Sequence, residues 1–344
     1  MIKKLAVALL AVSMLVSTAA CASSASTAAT TTTAATTTAA TTAAETTTAE
    51  TAVKISGDVI VDGSGTVYPL MAAIAETYMV DVQPEVNVQV GRAGSSAGFK
   101  KFIPGETDLS NASRAIKQEE IDQLKENGLE FGTDVMEIKL ALDGLTMVIN
   151  KGNTWATEMT KDEIVKMYLS GSYNAEDKVL WSDIRADWPS EEVKFYGPNE
   201  NHGTYEFFYE KILEKADMVK TVNLQQEYSS LVDLVSKDKN AIAFFGFGYY
   251  VNNKDKITAV KIDFGNGPVE PTLETIGEDL PYAGFTRPVY TYLNVKYAKE
   301  KPQVLDFVKY VVAHGAPELA GESGFAPLPM DQYEAYLAEL NKIG

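Results

Sequence analysis

Three short stretches of this chain combine glycine with hydroxyl-bearing residues at the same kind of place. "VDGSGTVYPL" carries Thr66 and Val67 after Gly63, Ser64 and Gly65; "GRAGSSAGFKKF" carries Ser95 and Ser96 after Gly94; "FYGPNENHGTYEFFYEKIL" carries His202, Gly203 and Thr204. Each lies between an apolar, strand-like run and a segment with helical spacing. Glycine allows close backbone approach, and the first N–H groups of a helix have no intrahelical acceptor. A serine or threonine beside them adds a further donor, so such a turn suits an anion. One hydroxyl at one helix start is ordinarily an N-cap. Three such turns in one chain point to an anion held between them.

Other chemistries fit the same residues less well. Gly94-Ser95-Ser96-Ala97-Gly98 matches G-x-S-x-G, the nucleophile elbow of a serine hydrolase, with His202 and His314 available later in the chain. That reading leaves the turns at Thr66 and Thr204 without a purpose. Cys21 is the only cysteine and the two histidines are far apart, so no transition-metal spacing occurs and no metal or other cofactor is expected. No G-x-x-x-x-G-K-[ST] phosphate loop is present.

The segments that must position the turns alternate in type. "VKISGDVIVDG" and "VNVQVG" read as strands, "YPLMAAIAETYMVD", "AGFKKFIPGE" and "KQEEIDQLKENG" as helices, the last closed by Gly128. "TDLSNASRAI" reads as a short strand and loop. "GLTMVINKG" and "RPVYTYLN" read as strands carrying the chain between two lobes, "AIAFFGFGYY" as sheet core, and "PQVLDFVKYVVAHG" as an amphipathic helix with His314 at its end. Strand and helix alternation of this kind predicts an α/β protein with mostly parallel sheets.

The first residues belong to none of this. "MIKKLAVALLAVSMLVSTAAC" has Lys3 and Lys4, a short apolar run and small residues before Cys21, the pattern of a lipoprotein signal over residues 1–20 with Cys21 as the lipidated mature terminus. Residues 21–52 are nearly all Ala, Thr and Ser and are expected to form a disordered tether. The remaining stretch of roughly 290 residues is comfortable for two lobes. A formal net charge of −17 argues against nucleic acid as a partner. It repels a small anion only at long range, because salt screens exposed charge over about 10 Å whereas aimed N–H groups act at contact.

In order along the chain, "DGSGTVYPL", "GSSAGFKKF", "GETDLSNASRAIK", "YGPNENHGTYEFF", "DKNAIAFFGFGYYVNNKDKITAVKI", "TRPVYTYL" and "GFAPLP" resemble the phosphate-binding protein of the bacterial phosphate ABC transporter, the PstS family. The resemblance implies a two-lobed, type 2 periplasmic-binding-protein fold, each lobe a mixed, mostly parallel sheet flanked by helices, with phosphate in the cleft. It places residues 53–143 and 287–344 in lobe I and 144–286 in lobe II. It implies a monomer, not an enzyme, anchored outside the cell membrane by lipid on Cys21, with permease subunits and their ATPase as partners. Carried onto this chain, the ligand residues are Thr66, Val67, Ser95, Ser113, Arg114, His202, Gly203 and Thr204.

Two departures bear on specificity. The aspartate with which many members accept the proton of monohydrogen phosphate is absent, Ser113 standing in its place, and Asp62, Asp108 or Glu200 are the candidates to replace it. The arginine that some members carry before the fourth loop is also absent, and the serine of that loop is His202. Arg114 is therefore expected to supply the cation of the pocket, with Arg92 as substitute, and hinges are expected near Asp143-Gly144 and Gly284 to Arg287.

Overall fold

The computed structural model describes residues 54–344. The signal sequence, Cys21 and the Ala/Thr-rich tether lie outside the described residues. The first strand, β1 (Gly57–Gly63), is exposed at its start and buried through its last three residues and delivers the chain to the first glycine turn; α1 (Tyr68–Thr77) follows, with Pro69 in its first turn, where a proline costs no hydrogen bond. β2 (Val86–Val90), α2 (Ser95–Phe102) and β3 (Leu109–Ala112) repeat the unit, and α3 (Gln118–Glu126) closes with Gly128 at a φ of +76°. β1 pairs in parallel with both β2 and β3.

The next strand is longer than its sequence suggests. β4 (Val135–Asn150) runs 16 residues without interruption through Asp143-Gly144. After it come β5 (Glu158–Thr160), α4 (Lys161–Tyr168), α5 (Trp181–Ile184), β6 (Lys194–Pro198), α6 (Gly203–Phe207), β7 (Asn223–Gln225), α7 (Tyr228–Lys237) and β8 (Ala241–Gly246). α8 (Phe247–Val251) leads to the short strands β9 (Ile257–Ala259), β10 (Lys261–Asp263) and β11 (Pro268–Val269). β12 (Thr286–Asn294) returns antiparallel to β4, and α9 (Val295–Glu300), α10 (Pro302–Tyr310), α11 (Ala316–Leu319) and α12 (Met330–Leu340) complete the chain. His314 does not end a helix: a π turn, Val311–Gly315, joins α10 to α11, and its imidazole pairs with Glu318 in solvent.

One curled, mixed sheet results, in the order β2-β1-β3-β12-β4-β8-β6-β7, with β9 also on β4 and a separate small sheet β11-β10-β5. β4 changes partners at its middle. Up to Gly144 it pairs with β12, and from Leu145 it pairs with β8. Val59, Leu70 and Ile74 early in the chain and Phe195, Phe208 and Phe244 later in it are all buried in one continuous apolar core.

Gly63 shows how tightly the first turn is set. Its φ is +133°, and a methyl group added there would stand 2.1 Å from the Asn111 carbonyl oxygen on the neighbouring strand. Gly63→Ala should therefore destabilise the protein by at least about 1–3 kcal/mol from backbone conformation alone. A clear fall in the thermal unfolding midpoint is expected, and an unchanged midpoint would mean that β1 and β3 can part here at no cost.

Candidate functional site

The partner change of β4 brings two charged residues face to face. Asp143 is opposite Arg287 of β12 in register, and their side chains form a buried ion pair, Arg287 Nε and Nη2 donating to Asp143 Oδ2 at 3.1 and 2.9 Å. Desolvating two such charges is tolerable only when their remaining donors and acceptors are also used. Here they are: Asp143 Oδ1 accepts the Phe247 N–H, and Arg287 donates through Nη1 to the Gly203 carbonyl and through Nη2 to Thr204 Oγ1 at 2.7 Å. The guanidinium also lies 5.3 Å from the centre of the Phe207 ring.

Beside the turn that this guanidinium holds, the other hydroxyl turns meet. Thr66 Oγ1 and Thr204 Oγ1, from turns 138 residues apart, are 2.8 Å from each other, and the Tyr228 hydroxyl lies 3.0 and 2.8 Å from them. Burial pushes the Tyr228 phenol up, so it stays protonated and able to donate. Ser64 Oγ accepts the N–H groups of Thr66 and Val67 and donates to Ser113 Oγ at 3.0 Å. Ser95 Oγ accepts the Ser113 N–H at 3.1 Å. A methyl group at Gly203 would come within 2.6 Å of Ser113 Oγ and 2.7 Å of Ser95 Oγ, so the absence of a side chain lets the two halves of the chain meet. Every one of these hydroxyls is buried.

His202 belongs to the same cluster. Its Nε2 bonds to the Gln226 carbonyl at 2.8 Å, and its Nδ1 is buried without a partner. Burial moves its pKa below 6.5, against smaller opposing influences of the Gln226 carbonyl and Glu227. The carboxylates considered as proton acceptors lie elsewhere. Asp62 holds the N–H groups of Gly63 and Ala93 and the Lys101 ammonium; Asp108 holds the Ile60 N–H and Lys301; Glu200 is exposed.

Arg114 is close by but already engaged. Its guanidinium pairs with Glu120 at 2.7 Å and with Glu206, and donates to Ser96 Oγ at 3.0 Å. Arg92 is exposed, paired with Glu227 at 3.2 Å. Ser96 lacks the imidazole that a hydrolase needs: its hydroxyl donates to Glu206 Oε1 at 2.7 Å, a carboxylate that Arg114 and Lys117 also hold.

Three members of the cluster were outside the sequence-based set. Arg287 stood in "TRPVYTYL", a stretch singled out as a crossing strand, and the signal that could have found it is a buried-strand arginine with an aspartate in the strand opposite. Ser64 stood in the first turn itself. Tyr228 carries no local signal, since it looks like any apolar residue at the start of α7.

A mixed sheet with helices on its faces, whose middle strand changes partners beside a buried donor cluster, is the arrangement of a solute-binding receptor. The family model described as the PBP superfamily domain matches residues 22–314. The phosphate-binding protein PstS of Staphylococcus saprophyticus is 38% identical over 84% of this chain and 86% of its own length. Among solved structures, a protein of Planctomyces limnophilus described as a possible phosphate binding protein is 33% identical, with a TM-score of 0.58 over 84% of this chain and 99% of that one. An ABC-type phosphate transport receptor from Vibrio cholerae shares the fold, at 21% identity and a TM-score of 0.59 over 79% of this chain and 100% of that one. The chain belongs to the PstS family of this superfamily, a family of binding proteins and not of enzymes.

The Glu206 cluster generates a pH prediction. Burial alone would raise this carboxyl, but the Arg114 charge, the Ser96 hydroxyl and Lys117 outweigh it and hold it below the ordinary 4.5. A depressed carboxyl stabilises the fold above its unfolded value, and the stabilisation is lost as pH falls through the folded value. The stability deficit of Glu206→Gln should therefore be constant between about pH 5 and 7 and shrink below about pH 4.5. Urea titrations over that range read it; a deficit that does not change down to pH 3 would remove charge as the source.

Proposed function

We propose that this protein captures inorganic phosphate outside the cell membrane and passes it to the permease of an ABC transporter, held at the surface by lipid on Cys21 and the tether of residues 21–52. The observation that carries the reading is the meeting of the hydroxyl turns: Thr204 bonds both Thr66 and the buried Arg287 guanidinium, and the Ser95 and Ser113 hydroxyls, near each other, lie against Gly203. Relatives at 35–38% identity bear the name phosphate-binding protein PstS, which supports phosphate as the ligand.

An oxyanion entering the cluster exchanges hydroxyl-to-hydroxyl bonds for bonds to its own oxygens. Thr66, Thr204, Ser95 and Ser113 supply hydroxyl donors, and Thr66, Val67 and Gly203 supply backbone N–H groups. His202 adjoins them. Arg287 supplies the positive charge in place of Arg114, because Arg114 is neutralised by Glu120 and Glu206 whereas Arg287 reaches Thr204 while facing a single carboxylate. Charge-assisted bonds from a planar fork suit a tetrahedral anion.

The proposed lobes, residues 53–143 with 287–344 and residues 144–286, meet where β4 changes partners, so Asp143-Gly144 and Gly284 to Arg287 act as the hinge. Glu206, on the second lobe, takes Arg114, Lys117 and Ser96 of the first, and serves as a clasp of the closed form.

Calorimetric titration of the ligand-stripped protein should give one phosphate per chain, with no added metal. Loss of hydrogen bonds from a charged group costs about 1.5–3 kcal/mol each, so Arg287→Ala should weaken binding by about ten- to a hundredfold or more, and Arg114→Ala by less. Both are measured at a temperature where the melting curves show each variant folded. A parent without heat of binding would end the phosphate reading; a larger loss in Arg114→Ala than in Arg287→Ala would return the cation to Arg114.

A further inference from the structure

We propose that the Nδ1 atom of His202 accepts the proton of monohydrogen phosphate and so makes the site select a protonated oxyanion over sulfate. The inference rests on the phosphate reading and deepens it. Phosphate and sulfate share size and shape, and near neutral pH they differ in that one still carries a hydrogen. A site that discriminates must offer that hydrogen a group able to accept and unable to donate.

Among the described residues of the cluster, His202 is built to be such a group. The imidazole is 2% exposed. Its Nε2 has two neighbours on Gln226, the backbone carbonyl oxygen at 2.8 Å and the side-chain amide nitrogen at 3.3 Å; the shorter contact is to an atom that can only accept, so Nε2 carries the ring hydrogen. In the neutral ring this leaves Nδ1 as a bare lone pair. Burial lowers the tendency of the ring to take a second proton, with Arg287 acting in the same direction, against the Gln226 carbonyl, Glu227 and Glu206. Nδ1 has no partner of its own, and its position is fixed from two sides. A methyl group placed on Gly65 would be 3.3 Å from it, so it looks onto the first loop between Ser64 and Thr66. The ring stands edge-on to Tyr228, centroids 5.0 Å apart, and the Tyr228 hydroxyl bonds both Thr66 and Thr204.

The neighbouring acceptors do not have this property. Asp143 spends Oδ2 on Arg287 and Oδ1 on the Phe247 N–H. Asn111 is buried with both its amide oxygen and its amide nitrogen unpartnered, so it offers an acceptor and a donor alike. An amide that can turn either way does not discriminate. A sulfate oxygen set against Nδ1, by contrast, faces lone pair to lone pair, and the buried nitrogen stays unpaired.

The test uses the ligand-stripped protein, titrated separately with inorganic phosphate and with sulfate, alongside His202→Leu, His202→Asn and Asn111→Leu. Leucine keeps the bulk and removes the acceptor; asparagine can place an oxygen near the Nδ1 position. His202→Leu should lower the phosphate-to-sulfate affinity ratio by about ten- to a hundredfold, through weaker phosphate binding, and His202→Asn, whose amide can turn either way, should not restore it. An unchanged ratio in His202→Leu, or a collapse of the ratio in Asn111→Leu alone, would overturn the assignment. A parent that binds phosphate and sulfate equally would overturn it too, whereas a parent that binds neither fails the phosphate reading itself. Nitrogen NMR of the parent decides the matter independently of folding in the variants. The His202 ring should show a protonated Nε2 and a bare Nδ1, and the Nδ1 resonance should move on adding phosphate and stay on adding sulfate. A protonated Nδ1 in the free protein, or no response to phosphate, would refute the proposal.

Discussion

The buried pair of Asp143 and Arg287 is the interaction on which the rest of this site depends. It sits at the residue where β4 leaves β12 for β8, so it joins the backbone crossing to the ligand cluster through one carboxylate. A buried arginine without a counter-ion would be expensive, and a buried aspartate more so. Their pairing, completed by the Phe247 N–H and by Gly203 and Thr204, is what permits a guanidinium to stand among hydroxyl groups out of contact with water. In a low-dielectric setting each of those hydrogen bonds is stronger than it would be at the surface.

This arrangement also resolves the conflict between an acidic chain and an anionic ligand. The formal charge of −17 is spread over a surface where salt screens it, whereas the cluster offers aligned donors at contact distance. Acidic groups that approach the cluster are each taken up by a partner: Glu206 by Arg114 and Lys117, Glu227 by Arg92, Asp62 by Lys101. Two of these sets, Arg92 with Glu227 and Arg114 and Lys117 with Glu206, also join segments of the chain far apart in sequence.

Much of this was legible from local pattern. The period-two runs and the glycine-hydroxyl turns mark strand ends and helix starts because those signals act over a few residues, and β1, α1, α2 and α3 form where they predict. The turns of Thr66, Ser95 and Thr204 were each visible for the same reason. The length of β4 was not, since the strand is expected from sequence to start at Gly144 with a hinge at Asp143-Gly144, and pairing with β12 on one side and β8 on the other carries the strand through it. Arg114 had the sequence position of a ligand residue, yet its charge is claimed by Glu120, six residues on, and by Glu206, ninety-two residues on.

By itself, then, the sequence determined the elements, the order of the donor turns and the family to which they belong, because propensity, glycine and capping operate within a turn or a strand. Tertiary structure alone decided which cation faces those turns, which hydroxyls meet, and which imidazole nitrogen is left bare. Those outcomes depend on registers and distances between segments a hundred or more residues apart, Arg287 against Asp143, Thr66 against Thr204 and His202 against Gly65, and on the contact of His202 with the carbonyl of Gln226, 24 residues on. No local pattern carries a register, and charge and hydrogen bonding act only where the folded chain has brought the groups together.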